Sequence, residues 1–229
     1  MKRMKLFALM LVLMLTTFSG FAQDSTYIAN EYAKAVALYQ KAQRYNDAGL
    51  SKQALLEMSI LNPRDTAVLR NLAELYFGNR QYVSSALVAQ DINAIYPTSI
   101  IGLEIQALSY ENLRLYDKAV ENYEKIWLQT EDIYILFQIS YLQYTLQRFE
   151  ESKNNLKILE TKIGAEDMVQ LNTSDGNSQE VKMMAAIENV RGLIALEQGN
   201  NDEARGHFNK ALELSPDFES PKISLDGIK

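Results

Sequence analysis

The 229-residue chain contains no cysteine, one histidine and only four prolines. The missing thiol excludes disulfides, thiolate catalysis and cysteine zinc sites, so the fold must rest on packing alone. The lone His207 has no second imidazole to share a metal with. It reads as a surface or edge residue of a helix, and neither a metal site nor a cofactor is expected. Basic clusters are scarce as well. Beyond residue 22 the chain carries 20 Lys and Arg against 29 Asp and Glu, a net charge of −9. Phosphate backbones and anionic membrane surfaces call for the opposite balance, so no nucleic-acid partner is expected.

Long apolar runs are absent with one exception. MKRMK supplies three positive charges, LFALMLVLMLTTF is apolar for 13 residues, and Gly20-Phe21-Ala22 closes with small residues at the two positions a signal peptidase reads. That layout is a secretory signal peptide over 1–22, too short for the ~20 residues of a membrane span. Cleavage after Ala22 is expected. The mature protein, 23–229, is then periplasmic or secreted, has no integral span, and lacks the cysteine a lipoprotein needs.

What the mature chain has is Ala, Leu, Tyr, Glu and Lys in long proline-free stretches, with apolar residues every three or four positions. Such stretches are helices. Pro63 and Pro97 stand 34 residues apart, a spacing that calls for a repeat search. A 34-residue frame with proline in column 32 gives repeats at about 32–65, 66–99 and 100–133. A fourth starts one residue early, at 133–166, and a fifth occupies 185–218. Small residues recur in column 8 (Ala73, Ala107, Ser140, Gly192) and in column 20 (Ser51, Ser85, Ala119, Ser152, Ala204). Small side chains there let paired helix axes approach closely.

The stretch 192–216, G-x6-G-x4-A-x3-F-x2-A-L-x3-P, resembles the tetratricopeptide repeat (TPR), and the frame extends that resemblance over about 32–216. It implies an all-α fold: a right-handed superhelical solenoid of helical hairpins, with a short insert at 165–183 and a C-terminal tail at 219–229. It also implies that columns 2, 5, 9 and 12 line a concave groove. In the fourth repeat these are Tyr134, Phe137, Tyr141 and Tyr144; Phe77 and Leu108 belong to the same surface in earlier repeats. These six are the candidate partner-binding residues. Rings in such number are expected to be covered. Either the insert or the tail folds into the groove, or a partner segment docks there.

The two-carboxylate chaperone clamp known in some TPR domains is absent, since Val36, Gln40, Asn71, Ile101 and Ile105 occupy its positions and only Asn71 fits. In the insert, MVQL alternates weakly and SDGN is a turn signal, so a small hairpin and a plain loop both remain open. The tail holds about two helical turns before Gly227, which leaves self-association through that edge open. Acid pairs such as Glu150-Glu151 and Asp202-Glu203 fall at helix starts, where carboxylates complement the dipole, and no catalytic constellation emerges. The expected role is a non-enzymatic scaffold or adaptor that binds a protein or peptide in its groove. The alternatives are a subunit of an envelope or secretion assembly working through its edges, and an enzyme with its site in the insert.

Overall fold

The computed structural model describes residues 25–228; the signal segment lies outside them. Eleven helices and one hairpin follow in order. They are α1 (25–44), α2 (Ala48–Leu61), α3 (Thr66–Gly78), α4 (Tyr82–Ile95), α5 (Ile100–Asn112), α6 (Tyr116–Thr130), α7 (Ile133–Thr145) and α8 (Phe149–Lys162), then β1 (Met168–Asn172), β2 (Ser178–Lys182), α9 (Met183–Glu197), α10 (Asn201–Leu214) and α11 (Glu219–Gly227). The described residues divide into two compact units that part between Ile105 and Gln106, inside α5. Among the described residues no helix is long and apolar enough to cross a membrane.

The helices come as antiparallel pairs, and one turn geometry joins the two members of every pair. Asn46, Arg80, Arg114, Gln147 and Gly199 each sit at that turn with φ of 54°, 58°, 57°, 59° and 78°. The following amide reaches back over the last helical turn, as in Gln81 N to Tyr76 O at 2.9 Å and Arg148 N to Gln143 O at 2.8 Å. This is the left-handed helix cap that glycine suits best. Only the last pair supplies glycine there, so the other four hold a side chain against its steric preference. Arg80→Gly and Arg114→Gly are each expected to stabilise the fold by about 0.5–1 kcal/mol, after the greater unfolded-state freedom of glycine is subtracted. Thermal melts of the single variants check this; a lowered midpoint would show that the arginine side chains contribute more than the turn loses.

Helix ends follow the prolines. α2, α4 and α10 stop two residues before Pro63, Pro97 and Pro216, because proline excludes the helical conformation from the residue before it. Where Glu131 replaces proline, α6 runs to Thr130, and Glu131 ends it with a left-handed φ of 51°. Asp132 then caps α7 at once, its carboxylate accepting from Tyr134 N at 2.7 Å. The shorter connection is why the fourth pair begins a residue early.

In the first unit Ala35, Leu55, Met58, Val68 and Leu72 form the core. Tyr32 donates its hydroxyl to Asp65 Oδ2 at 2.7 Å, while Oδ1 of Asp65 caps α3. Burial, together with that hydrogen bond and the charge of Asp65, pushes the Tyr32 phenol up to about 12. In the second unit Leu136, Leu156, Leu159, Ile187, Val190 and Ile194 dominate the core. The small residues sit where helix pairs touch: Ala73, Ser85, Ala107, Ala119, Ser140, Ser152 and Ala204 are fully buried at 0 % exposure. Two of the serines also donate across their pair, Ser85 Oγ to Ala73 O at 2.9 Å and Ser152 Oγ to Ser140 O at 2.7 Å.

The insert is an antiparallel hairpin in the register Val169↔Val181 and Leu171↔Gln179, a small strand element in an otherwise helical fold. Gly176 turns it with a φ of 84°. The Asp175 carboxylate accepts from Thr173 Oγ1 at 2.6 Å and from Asn177 N at 3.1 Å. Val169 and Val181 face inward and join the core around Leu136 and Ile187. The tail is a helix rather than a loose end. α11 lies against α9 and α10, with Phe218 and Ile228 buried and Ile228 packed by Phe208.

Candidate functional site

The six candidate partner-binding residues fall in both units. Phe77 is half-buried in the first unit, with its ring 5.2 Å edge-on from Tyr82. The other five lie in the second unit. Leu108 is 36 % exposed and Tyr134 50 %. Tyr144 is wedged between Tyr141, at 6.0 Å, and Phe149, at 6.4 Å. Phe137 is buried at 5 % in the cluster that includes Val169 and Val181 of the hairpin. The insert therefore covers part of the stripe, and Tyr141, still 41 % exposed, marks where the cover stops.

Beside Tyr141 opens a cavity of about 280 Å³, bordered by the end of α5, by α7 and α9, by β1 and by the start of α11. Phe137, Leu171, Val190, Leu193 and Phe218 are its apolar part; Glu111, Gln138, Gln170, Asn172, Asn189 and Ser220 are its polar part. Glu111 Oε2 accepts from Gln138 Nε2 at 2.9 Å and from Tyr123 Oη at 3.1 Å. Asn189 Nδ2 donates to Ser220 Oγ at 3.1 Å, tying α9 to α11. Burial first, and then the neighbouring Tyr116 and Glu111, raise the pKa of the Tyr141 phenol, which stays a neutral donor.

The hairpin is clamped in place by the tail. Ser174 N donates to Glu219 Oε2 at 2.9 Å, and Ser174 Oγ bonds the other oxygen of that carboxylate. Glu219 N donates to Gln179 Oε1 at 3.1 Å, and Gln179 Nε2 to Asp217 O at 2.5 Å. Insert and tail thus make one wall. In the 34-residue frame Phe137, Asn189, Tyr141, Leu193 and Glu111 fall in groove columns 5, 5, 9, 9 and 12 of their repeats; no periodicity places Gln170, Leu171, Asn172 or Phe218.

A second polar cluster lies between α9 and α10. Glu188 of α9 is fully buried, 0 % exposed, and three basic groups converge on it. His207 Nδ1 is 2.7 Å away, Lys210 Nζ 2.8 Å and Arg191 Nη1 3.0 Å, and Arg191 also holds Glu160 at 2.6 Å. His207 is thus no idle edge residue. It is 27 % exposed, and because a carboxylate can only accept, its Nδ1 carries the proton. Burial alone would push the Glu188 carboxyl up. Hydrogen bonds from His207 and Lys210, with the charges of Lys210 and Arg191, outweigh it and hold the pKa at about 2. The cluster pins α9 to α10 and α8. Among the described residues no three His, Cys, Asp or Glu are grouped for a metal ion.

Residues 185–218, helices α9 and α10 with their turn, match the tetratricopeptide repeat model. The fold is shared with solved TPR structures. MamA superimposes with a TM-score of 0.63 at 12 % identity over 82 % of this chain and 93 % of that one. MamA from residue 41 to its end, of Desulfovibrio magneticus RS-1, gives 0.60 at 12 % over 81 % and 96 %. YrrB, a TPR protein with an unusual peptide-binding site, gives 0.64 at 10 % over 84 % and 90 %. No curated protein matches the sequence. The chain thus has the TPR fold, with a hairpin inserted before the helical pair that matches the repeat model.

Proposed function

We propose that the protein is an exported, non-enzymatic scaffold, periplasmic or secreted, which holds a polypeptide segment in the groove of its second unit. The observation that carries this reading is the half-covered stripe. Hairpin and tail close over Phe137 but stop at Tyr141, leaving a cavity of about 280 Å³ with apolar walls and several convergent polar groups. That volume lies just below the ~300–1,000 Å³ of small-molecule pockets, which suits one or two side chains of a segment lying across it. The peptide-binding site of YrrB, on the same fold, supports a peptide as occupant. The signal-peptide layout of residues 1–22 supports export.

The experiment places a photo-crosslinking residue at Tyr141 and, in a second protein, at Ile60, then irradiates in envelope extracts. Partner adducts from Tyr141 that disappear on competition with the partner's own peptide are expected. An assembly subunit would crosslink at the other site instead, and Ile60, Val83 and Leu87, 77 %, 59 % and 57 % exposed in the first unit, favour that as the second reading. Adducts at Ile60 alone would overturn the groove assignment.

A further inference from the structure

We propose that the cavity beside Tyr141 reads a basic side chain of the docked segment, arginine ahead of lysine; the inference rests on a peptide occupying the groove. The reason is the hydrogen-bonding capacity left over after the walls have satisfied one another. The amide nitrogen of Gln138 is engaged with Glu111 and that of Gln170 with Ser178 Oγ at 2.8 Å. Both donors to Glu111 end on Oε2. Among the described residues, Glu111 Oε1, Gln138 Oε1 and Gln170 Oε1 accept no hydrogen bond. Beside the Tyr141 hydroxyl and the Asn172 amide, the wall thus offers a ligand three acceptors, and the charged group among them is an acceptor.

Charge points the same way. Glu111 is the only ionised group lining this cavity, and the only one lining the adjoining cavity of about 230 Å³ formed with Tyr116, Tyr141 and Thr145. No lysine or arginine of the wall neutralises it. An acidic partner side chain would meet that carboxylate directly. An apolar one would strip water from three acceptors and return no donor. A guanidinium carries five donors on a flat, weakly hydrated plane suited to aromatic neighbours, and the rings of Phe137 and Tyr141 border the same cavity as the acceptors. An ammonium matches the charge but offers fewer donors and no plane.

The test uses the purified protein and arrays of extended nonapeptides, random except at the centre, which holds Arg, Lys, Gln, norleucine or Glu. Retention is scored by fluorescence, and the retained sequences are titrated by polarisation at two salt concentrations. Arg-centred peptides are expected to bind at least tenfold tighter than their Gln-centred partners, with Lys between and Glu weakest. Glu111→Gln, which can still accept from Tyr123, should erase that order, and Glu111→Lys should shift it toward Glu-centred peptides. Circular dichroism and retention of the Gln-centred peptides guard against a misfolded variant. Should Glu111→Gln unfold, loss of the Arg preference in 0.5 M salt with Gln-centred binding unchanged reads the same point. Peptides that bind with equal strength whatever their centre would overturn this inference and leave the groove reading standing. If no peptide of any kind is retained, both fall.

Discussion

Glu188→Ala is expected to destabilise the second unit by about 3–5 kcal/mol, the usual consequence of breaking a buried charge cluster from one side. The residue removed is fully buried, and His207, Lys210 and Arg191 all point at it. Without the carboxylate, three donors converge on an apolar gap between α9 and α10. Glu188→Gln retains the volume and one acceptor oxygen, so it is expected to lose less, about 2 kcal/mol. Urea melts at pH 7 measure both. If the alanine variant unfolds at the wild-type midpoint, the cluster is a surface ornament rather than a clasp.

The same carboxylate makes the fold sensitive to acid. Its folded pKa, about 2, lies below the ordinary value of 4.5, so its stabilisation is fully present above pH 4.5 and fades as pH falls toward 2. A gap of that size is worth about 3 kcal/mol by linkage. The acid limb of the stability profile should therefore flatten in Glu188→Gln relative to the wild type.

Gly192→Val is the second large effect, at about 3 kcal/mol, near the upper end for overpacking a close-packed core. A Cβ on Gly192 would stand 2.5, 2.7 and 3.0 Å from three ring carbons of Phe208. That ring is itself fully buried, with Ala195, Ala204 and Ile228 around it, and has nowhere to withdraw. Phe208→Leu alone opens a gap, yet combined with Gly192→Val it should recover part of the loss, giving a double variant more stable than the two single losses predict. Strict additivity would mean that the two residues do not meet. Chemical denaturation of the four proteins closes the cycle.

These two sites mark what could be read from the residues alone. Gly192 is legible because it belongs to a column: a small residue recurs at a fixed stride, and that stride exists because helix axes must approach closely. Column positions also mark Phe137 and Tyr141, and Glu111 and Asn189, as neighbours on one surface. Glu188 is not legible. A lone acid among polar residues looks like any solvated helix face, and its three partners lie 3, 19 and 22 residues away. One other column reveals itself only in coordinates: Asn46, Arg80, Arg114 and Gln147 share a left-handed backbone conformation with Gly199 although their side chains differ in kind.

The sequence by itself determined the helical hairpins, their pairing and the side of each helix that turns inward, since these depend on contacts a few residues apart repeated along the chain. Tertiary structure alone decided what happens to the aromatic surface. The hairpin at 168–182 has no periodic counterpart, and it is held by hydrogen bonds to residues 215–219, more than 30 positions onward. Local preference leaves hairpin and plain loop both open there, and the choice, like the hairpin's resting place, is a balance of buried area and satisfied polar groups contributed by segments far apart in the chain. That balance covers Phe137, spares Tyr141 and shapes the cavity between them.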